Sequence, residues 1–262
     1  MTGVDVVVMA AGKGTRMKSR LPKVLHRLAG RALVSHVLDR AAGLGARSVV
    51  VITGHGGAQV EAALAQEAAA SGSAAPRFVR QEPQLGTGHA VQQALPLLPD
   101  DGIALILNGD VPLIETATLQ ALVDSCGGKR LALLTVVMPD PSGYGRVVRE
   151  GEAVKAIVEH KDADARQRAI REIYSGFMAV PNTLLKRWLA QLTNDNAQGE
   201  YYLTDIVRLA VADGAEVAAV ITPDKLQVDG VNSPVQLAEL ERAFQLRNAH
   251  KLMEQGVRLA DP

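Results

Sequence analysis

A glycine-containing loop near the start of the chain is the segment best suited to phosphate chemistry. Residues 9–17 read Met-Ala-Ala-Gly-Lys-Gly-Thr-Arg-Met at the end of the apolar run Val4–Met9. Backbone N–H groups and small residues in such a loop can approach a phosphate closely. Between Asp5 and Asp39 there is no acidic residue, and the cations of this stretch are Lys13, Arg16, Lys18, Arg20, Lys23, Arg27 and Arg31. We expect a triphosphate ligand, because cations stabilise the charge that develops on phosphoryl oxygens during transfer.

Two common phosphate-binding motifs do not fit this loop. A Walker loop needs glycine where Val7 stands and Ser or Thr after its lysine, but Gly14 follows Lys13. A dinucleotide fingerprint needs a third small residue where Met17 stands and an acidic residue after the second strand, where the chain has Thr53-Gly54-His55. The sequence therefore predicts a nucleotide site of another kind.

Two further polar clusters follow predicted strands. Residues 81–90 read Gln-Glu-Pro-Gln-Leu-Gly-Thr-Gly-His-Ala, and a Gln side chain such as Gln81 can pair with a base edge through its donor and acceptor together. Asp110, in Asn108-Gly109-Asp110, follows the most hydrophobic strand and is expected at the ligand-binding edge of the sheet. Beside a triphosphate this carboxylate would hold Mg²⁺. Considered separately, Thr87 could simply cap a helix, and Asp110 could simply cap a turn.

Alternating apolar runs and helical stretches predict an α/β fold: a Rossmann-like, mostly parallel sheet flanked by helices. The first strands are expected at Val4–Met9, Val49–Ile52, Phe78–Val79, Ile103–Leu107 and Leu131–Met138, with helices near Leu33–Ala42, Ala58–Ala70 and Ala90–Leu97. Beyond Pro139 we expect extended segments at Tyr144–Arg149 and Ala153–Val158, a charged helix at Asp162–Arg171, strands at Ile173–Val180 and Val217–Ile221, and helices at Thr183–Leu192 and Tyr202–Ala212. This half should elaborate the same sheet.

The last predicted element is a long terminal helix. Ser233 can cap it, Pro234 suits its first position, Gln236 can complete a capping box, and Gly256 can end it. Leu237, Leu240 and Phe244 are expected to face inward.

Composition narrows the class of protein. The 262 residues carry 28 Lys and Arg against 28 Asp and Glu, so a large nucleic-acid or anionic-membrane surface is not expected. No apolar run approaches the roughly 18 residues of a membrane helix. The chain has one cysteine, Cys126, and no basic, signal-like start. We expect a soluble cytoplasmic protein whose partners are small molecules.

A family resemblance adds to these observations. The segments that carry it are the loop at 9–17, Leu21-Pro22-Lys23, Gln-Leu-Gly-Thr-Gly-His-Ala at 84–90, Gly-Asp-Val-Pro-Leu at 109–113, Gly-Tyr-Gly-Arg at 143–146, Ile-Val-Glu-His-Lys-Asp-Ala at 157–163, Asn-Ala-Gln-Gly-Glu-Tyr-Tyr-Leu-Thr-Asp at 196–205 and Gly-Val-Asn at 230–232. The chain closely resembles the N-terminal uridyltransferase domain of the bacterial bifunctional N-acetylglucosamine-1-phosphate uridyltransferase/glucosamine-1-phosphate acetyltransferases. This implies a fold of the sugar nucleotidyltransferase type.

The resemblance implies Mg²⁺-dependent transfer of UMP from UTP to N-acetylglucosamine 1-phosphate, giving UDP-N-acetylglucosamine, a cell-wall and lipopolysaccharide precursor, and pyrophosphate. Arg16 and Lys23 would be catalytic, neutralising the triphosphate, and Asp110 and Asn232 would be metal ligands. The positions that match substrate-binding residues of the family are Met9, Ala10, Ala11, Gly12, Lys23, Gln81, Gly86, Thr87, Asn108, Gly109, Asp110, Gly145, Glu159, Tyr174 and Asn232. Within that set, Gly145 and Glu159 would hold the amino sugar.

Two residues depart from the family pattern. Tyr174 stands where the family usually has Asn, and Asn108 stands where some members have an aromatic residue. We expect Tyr174 to reach the sugar with its hydroxyl or through water.

Three other functions are compatible with parts of the sequence. A catalytically silent UDP-sugar sensor is disfavoured because Lys23 and Asp110 are both present. A dinucleotide-dependent oxidoreductase is disfavoured by Met17 and by the missing acidic residue after the second strand. A related nucleotidyltransferase with another sugar or base, such as a glucose-1-phosphate thymidylyltransferase, stays open.

The resemblance also bears on domain organisation. We expect a nucleotidyltransferase domain at 1–230 and a C-terminal helix and linker at 231–262. Family members continue into a left-handed β-helix domain that carries the acetyltransferase and builds a homotrimer, whereas this sequence stops at Asp261-Pro262, near the interdomain linker. Neither acetyltransfer nor trimerisation is assigned to these residues.

Overall fold

The computed structural model describes residues 3–262. Its strands are β1 (Val4–Ala10), β2 (Arg27–Leu28), β3 (Arg31–Ala32), β4 (Ser48–Thr53), β5 (Arg77–Arg80), β6 (Ile103–Asn108), β7 (Leu131–Val137), β8 (Arg146–Glu150), β9 (Ala153–Val158), β10 (Glu172–Pro181) and β11 (Val217–Ile221). Its helices are α1 (Leu33–Ala42), α2 (Gly57–Ser71), α3 (Thr87–Ala94), α4 (Thr116–Cys126), α5 (Ala165–Arg168), α6 (Asn182–Leu189), α7 (Asp205–Ala212) and α8 (Pro234–Glu254).

The main sheet has the strand order β11-β7-β10-β6-β1-β4-β5, and the antiparallel pair β8 and β9 joins it through β10. β1 lies parallel to both β4 and β6, and the β4–β5 and β11–β7 pairs are also parallel. β10 runs antiparallel to β6 and β7, between which it is inserted. The predicted mostly parallel sheet flanked by helices is therefore confirmed, and the second half of the chain extends the same sheet.

Apolar side chains cover both faces of the sheet. On one face the core packs against α1, α2 and α4 through residues such as Val37, Leu64 and Leu122. On the other it packs against α3, α6 and α7 through residues such as Val91 and Trp188. Burial of each large apolar side chain contributes about 1.5–3 kcal/mol. This burial on two faces explains the uninterrupted apolar runs of the central strands.

The terminal helix α8 begins as predicted. Ser233 accepts a hydrogen bond from the backbone N–H of Gln236, and Pro234 is the first helical residue. The Gln236 side chain accepts from the backbone of Asn232, one residue before the expected partner, so the capping box is displaced. Leu237, Leu240 and Phe244 pack inward, as expected, against a cluster that includes Met17.

Four helix predictions differ from the structure. Helix α4 was not predicted, because its Thr, Ser and Asp residues obscure the apolar face formed by its buried residues Leu119, Leu122, Val123 and Cys126. The predicted helix at 162–171 is confined to α5, where Asp164 forms a capping box and sets its start. Helix α3 begins at Thr87 rather than 90. Helix α7 begins at Asp205 rather than 202, because Tyr201 and Leu203 bond to Leu85 and to the first turn of α3. Within residues 3–262, no helix is long and apolar enough to cross a membrane.

A buried carboxylate joins several elements at the amino edge of the sheet. Asp5 is fully buried and accepts from Nε and Nη2 of Arg47 at 3.1 and 2.6 Å, from Ser48 Oγ at 2.8 Å and from Asn182 Nδ2 at 2.9 Å. Burial raises the pKa of Asp5, but the hydrogen bonds from Arg47, Asn182 and Ser48 outweigh it and hold the pKa below its ordinary value. This network fixes the edge opposite the ends of the strands that carry the predicted site.

We expect Asp5→Asn to lower the free energy of unfolding by about 3 kcal/mol, because Arg47 and Asn182 lose a buried charged acceptor. Thermal unfolding should show a fall of about 6–12 °C in Tm at pH 7. The difference from the wild type should narrow as pH falls below the ordinary aspartate pKa of 3.8 and through the lower folded-state value.

The matched control is Asp101→Asn, since Asp101 also pairs with Arg47 but its side chain is 79% exposed. It should change stability by no more than about 0.5 kcal/mol. Equal losses in the two variants would contradict a structural role for the buried Asp5 network.

Candidate active site

A cleft of about 530 Å³ opens at the carboxyl ends of β1 and β6. The predicted site residues that line it are Met9, Ala10, Ala11, Gly12, Arg16, Lys23, Gln81, Gly86, Thr87, Asn108, Asp110 and Asn232. It is also lined by Lys13, Gly14, Thr15, Val24, Gln84, Ala90 and Glu200, which were not among the expected binding residues. Gly109, Gly145, Glu159 and Tyr174 do not line this cleft.

The glycine loop is packed tightly against the segment that carries Lys23. Gly14 has a φ of +59°, and a Cβ at this position would lie 2.7 Å from the Cβ of Lys23. A larger residue would therefore be strained and would push the two segments apart. At the other side of the loop, the carbonyl of Ala11 accepts from the side-chain amide of Gln84 and, at 3.3 Å, from the backbone of His55.

Lys23 joins the cleft's carboxylate and amide oxygens. Its Nζ donates to Oδ2 of Asp110 in an ion pair and to Oδ1 of Asn232 at 3.1 Å. The backbone N–H of Val231 donates to the Asp110 carbonyl at 2.9 Å, which holds the Asn232 segment beside the end of β6. The Asp110 and Asn232 side-chain oxygens thus both bond to the Lys23 ammonium. Carboxylate and amide oxygens are ligands that Mg²⁺ prefers, so these two residues fit that ion.

The metal-binding potential of this cluster differs from that of an all-protein cage. Within residues 3–262, no group of three or more His, Cys, Asp or Glu side chains is arranged to hold a metal ion. One carboxylate and one amide would leave most coordination positions to water or substrate oxygens, as is usual for Mg²⁺ at phosphates.

A second loop closes the opposite end of the cleft. Gln81 is buried, and its Nε2 donates to the carbonyl of Gly86 at 2.8 Å and lies 3.3 Å from Nδ1 of His89. Both contacts use the amide nitrogen, which leaves the oxygen of Gln81 as the group available to a ligand. Gly86 has a φ of +110°, and a Cβ there would lie 2.6 Å from the carbonyl oxygen of Tyr201. The turn therefore requires glycine.

This loop is bonded to the segment before α7. The backbone N–H of Tyr201 donates to Leu85 at 2.8 Å, Gly88 donates to Tyr201 at 2.7 Å, and the N–H of Leu203 donates to Thr87 Oγ1 at 3.0 Å. Thr87 therefore holds the loop in place, and the segment around residue 200 becomes part of the cleft wall.

The four predicted residues outside the cleft fall into two groups. Gly109 follows β6, and its N–H donates to the carbonyl of Met9 at 3.0 Å, which joins the ends of two central strands. Gly145, Glu159 and Tyr174 meet where β8, β9 and β10 adjoin. The N–H of Tyr174 donates to the Gly145 carbonyl at 2.9 Å, and a Cβ on Gly145 would lie 3.5 Å from a carboxylate oxygen of Glu159.

Asn108 precedes Gly109 at the end of β6 and contacts β10, the strand that carries Tyr174. Its side chain packs against the backbone of Gly176, which has a φ of +93° in the irregular part of β10. A Cβ at Gly176 would collide with the Asn108 amide. The glycine thus makes room for Asn108 in the wall that joins the cleft to β10.

Burial dominates the electrostatics around Glu159. It raises the Glu159 pKa; the hydrogen bond from Thr204 Oγ1, 2.9 Å long, lowers it, and Asp162, Asp205 and Glu200 raise it further. The side chain of Tyr174 is also buried, which raises the pKa of its hydroxyl well above the ordinary value, and Glu159 adds to the shift. Within the described part of the chain the Tyr174 hydroxyl has no hydrogen-bond partner. Such a buried pair suits a ligand that brings its own hydroxyl groups.

Sequence reasoning missed Gln84, Glu200 and Thr204. Gln84 and Glu200 line the cleft, and Thr204 donates to Glu159. Gln84 lies inside the polar cluster at 81–90, so its amide type was a usable signal. Nothing in the local sequence indicates that residues near 200 return to this edge of the sheet.

The chain matches the family described as the MobA-like NTP transferase domain over residues 6–175. It is 69% identical over 263 residues to the bifunctional protein GlmU of Polaromonas naphthalenivorans (strain CJ2), an alignment that covers 99% of this chain and 56% of that protein. It is 66% identical to the bifunctional protein GlmU of Acidovorax sp. (strain JS42), with 100% and 55% covered. The chain thus spans about half the length of the curated relatives that it matches.

Solved structures with the same fold are more distant in sequence. A UDP-glucose pyrophosphorylase complexed with UDP-glucose has a TM-score of 0.76 at 17% identity, covering 94% of this chain and 100% of that chain. A nucleotidyl transferase from Methanothermobacter thermautotroptrophicus has a TM-score of 0.61 at 19% identity, covering 94% and 99%. At these identities the likeness establishes the fold alone.

We expect Glu159→Gln to stabilise the protein at pH 7–8, because the folded state raises the pKa of this carboxyl and therefore disfavours its charged form. The stability cost of ionising Glu159 in the folded state is absent below the ordinary glutamate pKa of 4.5, and it grows as pH rises through the raised folded-state pKa. Thermal unfolding should show a Tm gain of about 2–4 °C for each 1 kcal/mol at neutral pH and none near pH 4.

Glu61→Gln is the control with the opposite sign. Hydrogen bonds from Arg80 and Thr53 outweigh burial and lower the pKa of Glu61, so removal of its charge should destabilise the protein at neutral pH. A loss of stability in Glu159→Gln would refute the assignment of Glu159 as an electrostatically disfavoured group.

Proposed function

Since the chain belongs to the MobA-like NTP transferase family, we propose that it transfers UMP from UTP to N-acetylglucosamine 1-phosphate, forming UDP-N-acetylglucosamine and pyrophosphate. The observation that carries this proposal is the cluster of Lys23, Asp110 and Asn232, which lies in one cleft with the glycine loop and Gln81. The identity with GlmU proteins, spread over nearly the whole chain, supports the choice of sugar and base. UTP and the sugar phosphate are thus the proposed partners.

The nucleotide would occupy the cleft between the two glycine loops. Residues 9–12 and Gly109 would offer backbone and small-residue surfaces to ribose and phosphates, as glycine loops at strand ends do. The amide oxygen of Gln81 can accept a hydrogen bond from the N–H of a uracil ring. Gly86 and Thr87 would shape the pocket for the base.

Catalysis would depend on positioning and on charge neutralisation. A phosphate oxygen of the sugar phosphate attacks the α-phosphorus in line with the departing pyrophosphate. Arg16 and Lys23 would stabilise the negative charge on the transferred and leaving groups. Mg²⁺, held by Asp110 and Asn232, would supply further positive charge at the phosphate oxygens. In this arrangement Lys23 would release the two oxygens and bind phosphate instead.

The amino sugar would bind beside Asn108, against Gly145, Glu159 and Tyr174. Gly145 places no side chain beside the Glu159 carboxylate, whose Oε1 would lie 3.5 Å from a Cβ there, and the buried Tyr174 hydroxyl, which has no protein partner within residues 3–262, would donate to a sugar oxygen. We further propose that residues 1–230 are the nucleotidyltransferase domain and 231–262 a helix and linker, although Asn232 would serve the site. Cytoplasmic localisation and the trimer of the longer family members stay predictions.

The proposed reaction can be tested by pyrophosphate release with Mg²⁺ over a panel of nucleoside triphosphates and sugar 1-phosphates. UTP with N-acetylglucosamine 1-phosphate should be the best pair. Release with no pair would favour a binding protein, and preference for dTTP with glucose 1-phosphate would favour a thymidylyltransferase.

In the same assay, Lys23→Ala and Asp110→Ala should each lower kcat more than tenfold while Tm changes by only a few degrees. Both side chains are largely but not fully buried, so water can replace the lost contact. Lys186→Ala is the control: Lys186 pairs with Asp100 before β6, at the opposite edge of the sheet, and kcat should not change. A collapse of Tm in the Lys23 or Asp110 variant would indicate a structural role instead.

Tyr174→Phe should raise the KM for N-acetylglucosamine 1-phosphate about five- to tenfold, which corresponds to one hydrogen bond of about 1 kcal/mol. The KM for UTP should stay within twofold. Tm should not fall, because the variant removes a buried hydroxyl that has no protein partner within residues 3–262. Tyr174→Asn should alter the same sugar constant; an unchanged KM in both variants would contradict the proposed contact.

A further inference from the structure

Arg146 is a buried arginine whose charge is poorly compensated. Only 1% of the residue is exposed, and its Nε has no hydrogen-bond partner within residues 3–262. Its Nη1 donates to the carbonyl of Tyr144, and its Nη2 donates to Nδ1 of His160 at 3.2 Å. Burial lowers the pKa of this guanidinium. A buried cation without a bonded carboxylate costs free energy that an apolar side chain of similar size would not.

A second arginine of the same strand shows the contrast. Arg149 donates from Nε and Nη2 to the carboxylate of Glu172 at 2.6 and 2.7 Å, so the charges of this partly buried pair compensate each other. Arg149 therefore has the contacts of a structural residue. Arg146 bonds instead to a carbonyl oxygen and a ring nitrogen, which lie on two different loops.

The register of the strands places Arg146 beside the sugar-binding residues. Arg146 lies opposite Val158 of β9 and Ile173 of β10. One residue further along each segment lie Gly145, Glu159 and Tyr174. The guanidinium bonds to the residue that precedes Gly145 and to the residue that follows Glu159, so it links the two segments just beyond this row.

The loop held by Arg146 faces both halves of the proposed site. Asp229, Asp110 and Arg16 lie close enough to the Tyr144 hydroxyl to affect its pKa, which burial raises. The next residue, Gly145, faces the Glu159 carboxylate. A displacement of the Tyr144 carbonyl would therefore move both consecutive residues.

We propose that Arg146 is a positioning residue for the sugar half of the site: by holding the Tyr144 carbonyl and the His160 imidazole together, it fixes Gly145 and Glu159 at the distance that admits the amino sugar. It does not touch the substrate. This inference rests on the proposed function for the identity of the ligand, but the link between the two loops is a property of the protein alone.

Steady-state kinetics of Arg146→Met tests the proposal. The KM for N-acetylglucosamine 1-phosphate should rise about tenfold, while the KM for UTP stays within twofold and Tm is unchanged or higher. Arg146→Lys should keep most of the defect, because one ammonium cannot reproduce the fork of a guanidinium between two acceptors. An unchanged sugar KM in Arg146→Met, or equal rises in both Michaelis constants, would overturn it.

Arg149→Met is the matched control on the same strand. It leaves the partly buried Glu172 without its cationic partner, so Tm should fall while the sugar KM of the folded enzyme stays unchanged. If Arg146→Met behaves in the same way, Arg146 is a structural residue and the proposal is wrong.

Hydrogen exchange separates this inference from the proposed reaction. Deuterium uptake in peptides covering 139–145 and 159–163 should increase in Arg146→Met and stay at the wild-type level in Arg149→Met. Wild-type protein that fails to release pyrophosphate would refute the proposed function, whereas unchanged uptake in Arg146→Met would refute the link between the loops.

Discussion

The hydrogen bonds of the Lys23 ammonium hold together the three segments on which the active cleft depends. Asp110 lies 87 residues and Asn232 209 residues after Lys23, yet an oxygen of each accepts a hydrogen bond from the same Nζ. The Lys23 ammonium pairs with the carboxylate and also donates to the amide oxygen, so it links the Asp110 and Asn232 segments. The Lys23 side chain also packs against Gly14 of the glycine loop. The positive charge of Lys23 thus organises the cleft in which a phosphate group is proposed to bind.

The buried polar groups at the two edges of the sheet have different surroundings. At the amino edge the buried Asp5 has four hydrogen bonds, and its charged form is favoured. At the carboxyl edge the Tyr174 hydroxyl and Arg146 Nε are buried without a hydrogen-bond partner within residues 3–262, and burial raises the pKa of Glu159. Unsatisfied buried groups reduce stability, and they are retained where a ligand completes them or where they hold a loop. The Asp5 network thus stabilises the fold at the edge away from the reacting groups.

The antiparallel strand β10 is the main departure from a simple doubly wound sheet, and it creates the second half of the site. It enters between β6 and β7 and carries the β8–β9 pair with it. Parallel strands alone would supply only loops at the carboxyl edge. The added pair supplies a rigid wall in which Gly145, Glu159 and Tyr174 lie side by side, and the irregular step at Gly176 accommodates Asn108.

The sequence by itself determined the α/β class, the glycine loop, the caps of α8 and the residue types of the cleft, because periodicity, turn chemistry and charge are local properties. It failed at α4, whose apolar face is diluted by polar residues, and at residues 201–203, whose hydrogen bonds go to a distant loop. The tertiary structure alone decided that Lys23 bonds to Asp110 and Asn232, that Glu200 reaches the cleft, and that Arg146 is buried without a carboxylate. These contacts join residues far apart in the chain, so they depend on strand order and register, which no local pattern encodes.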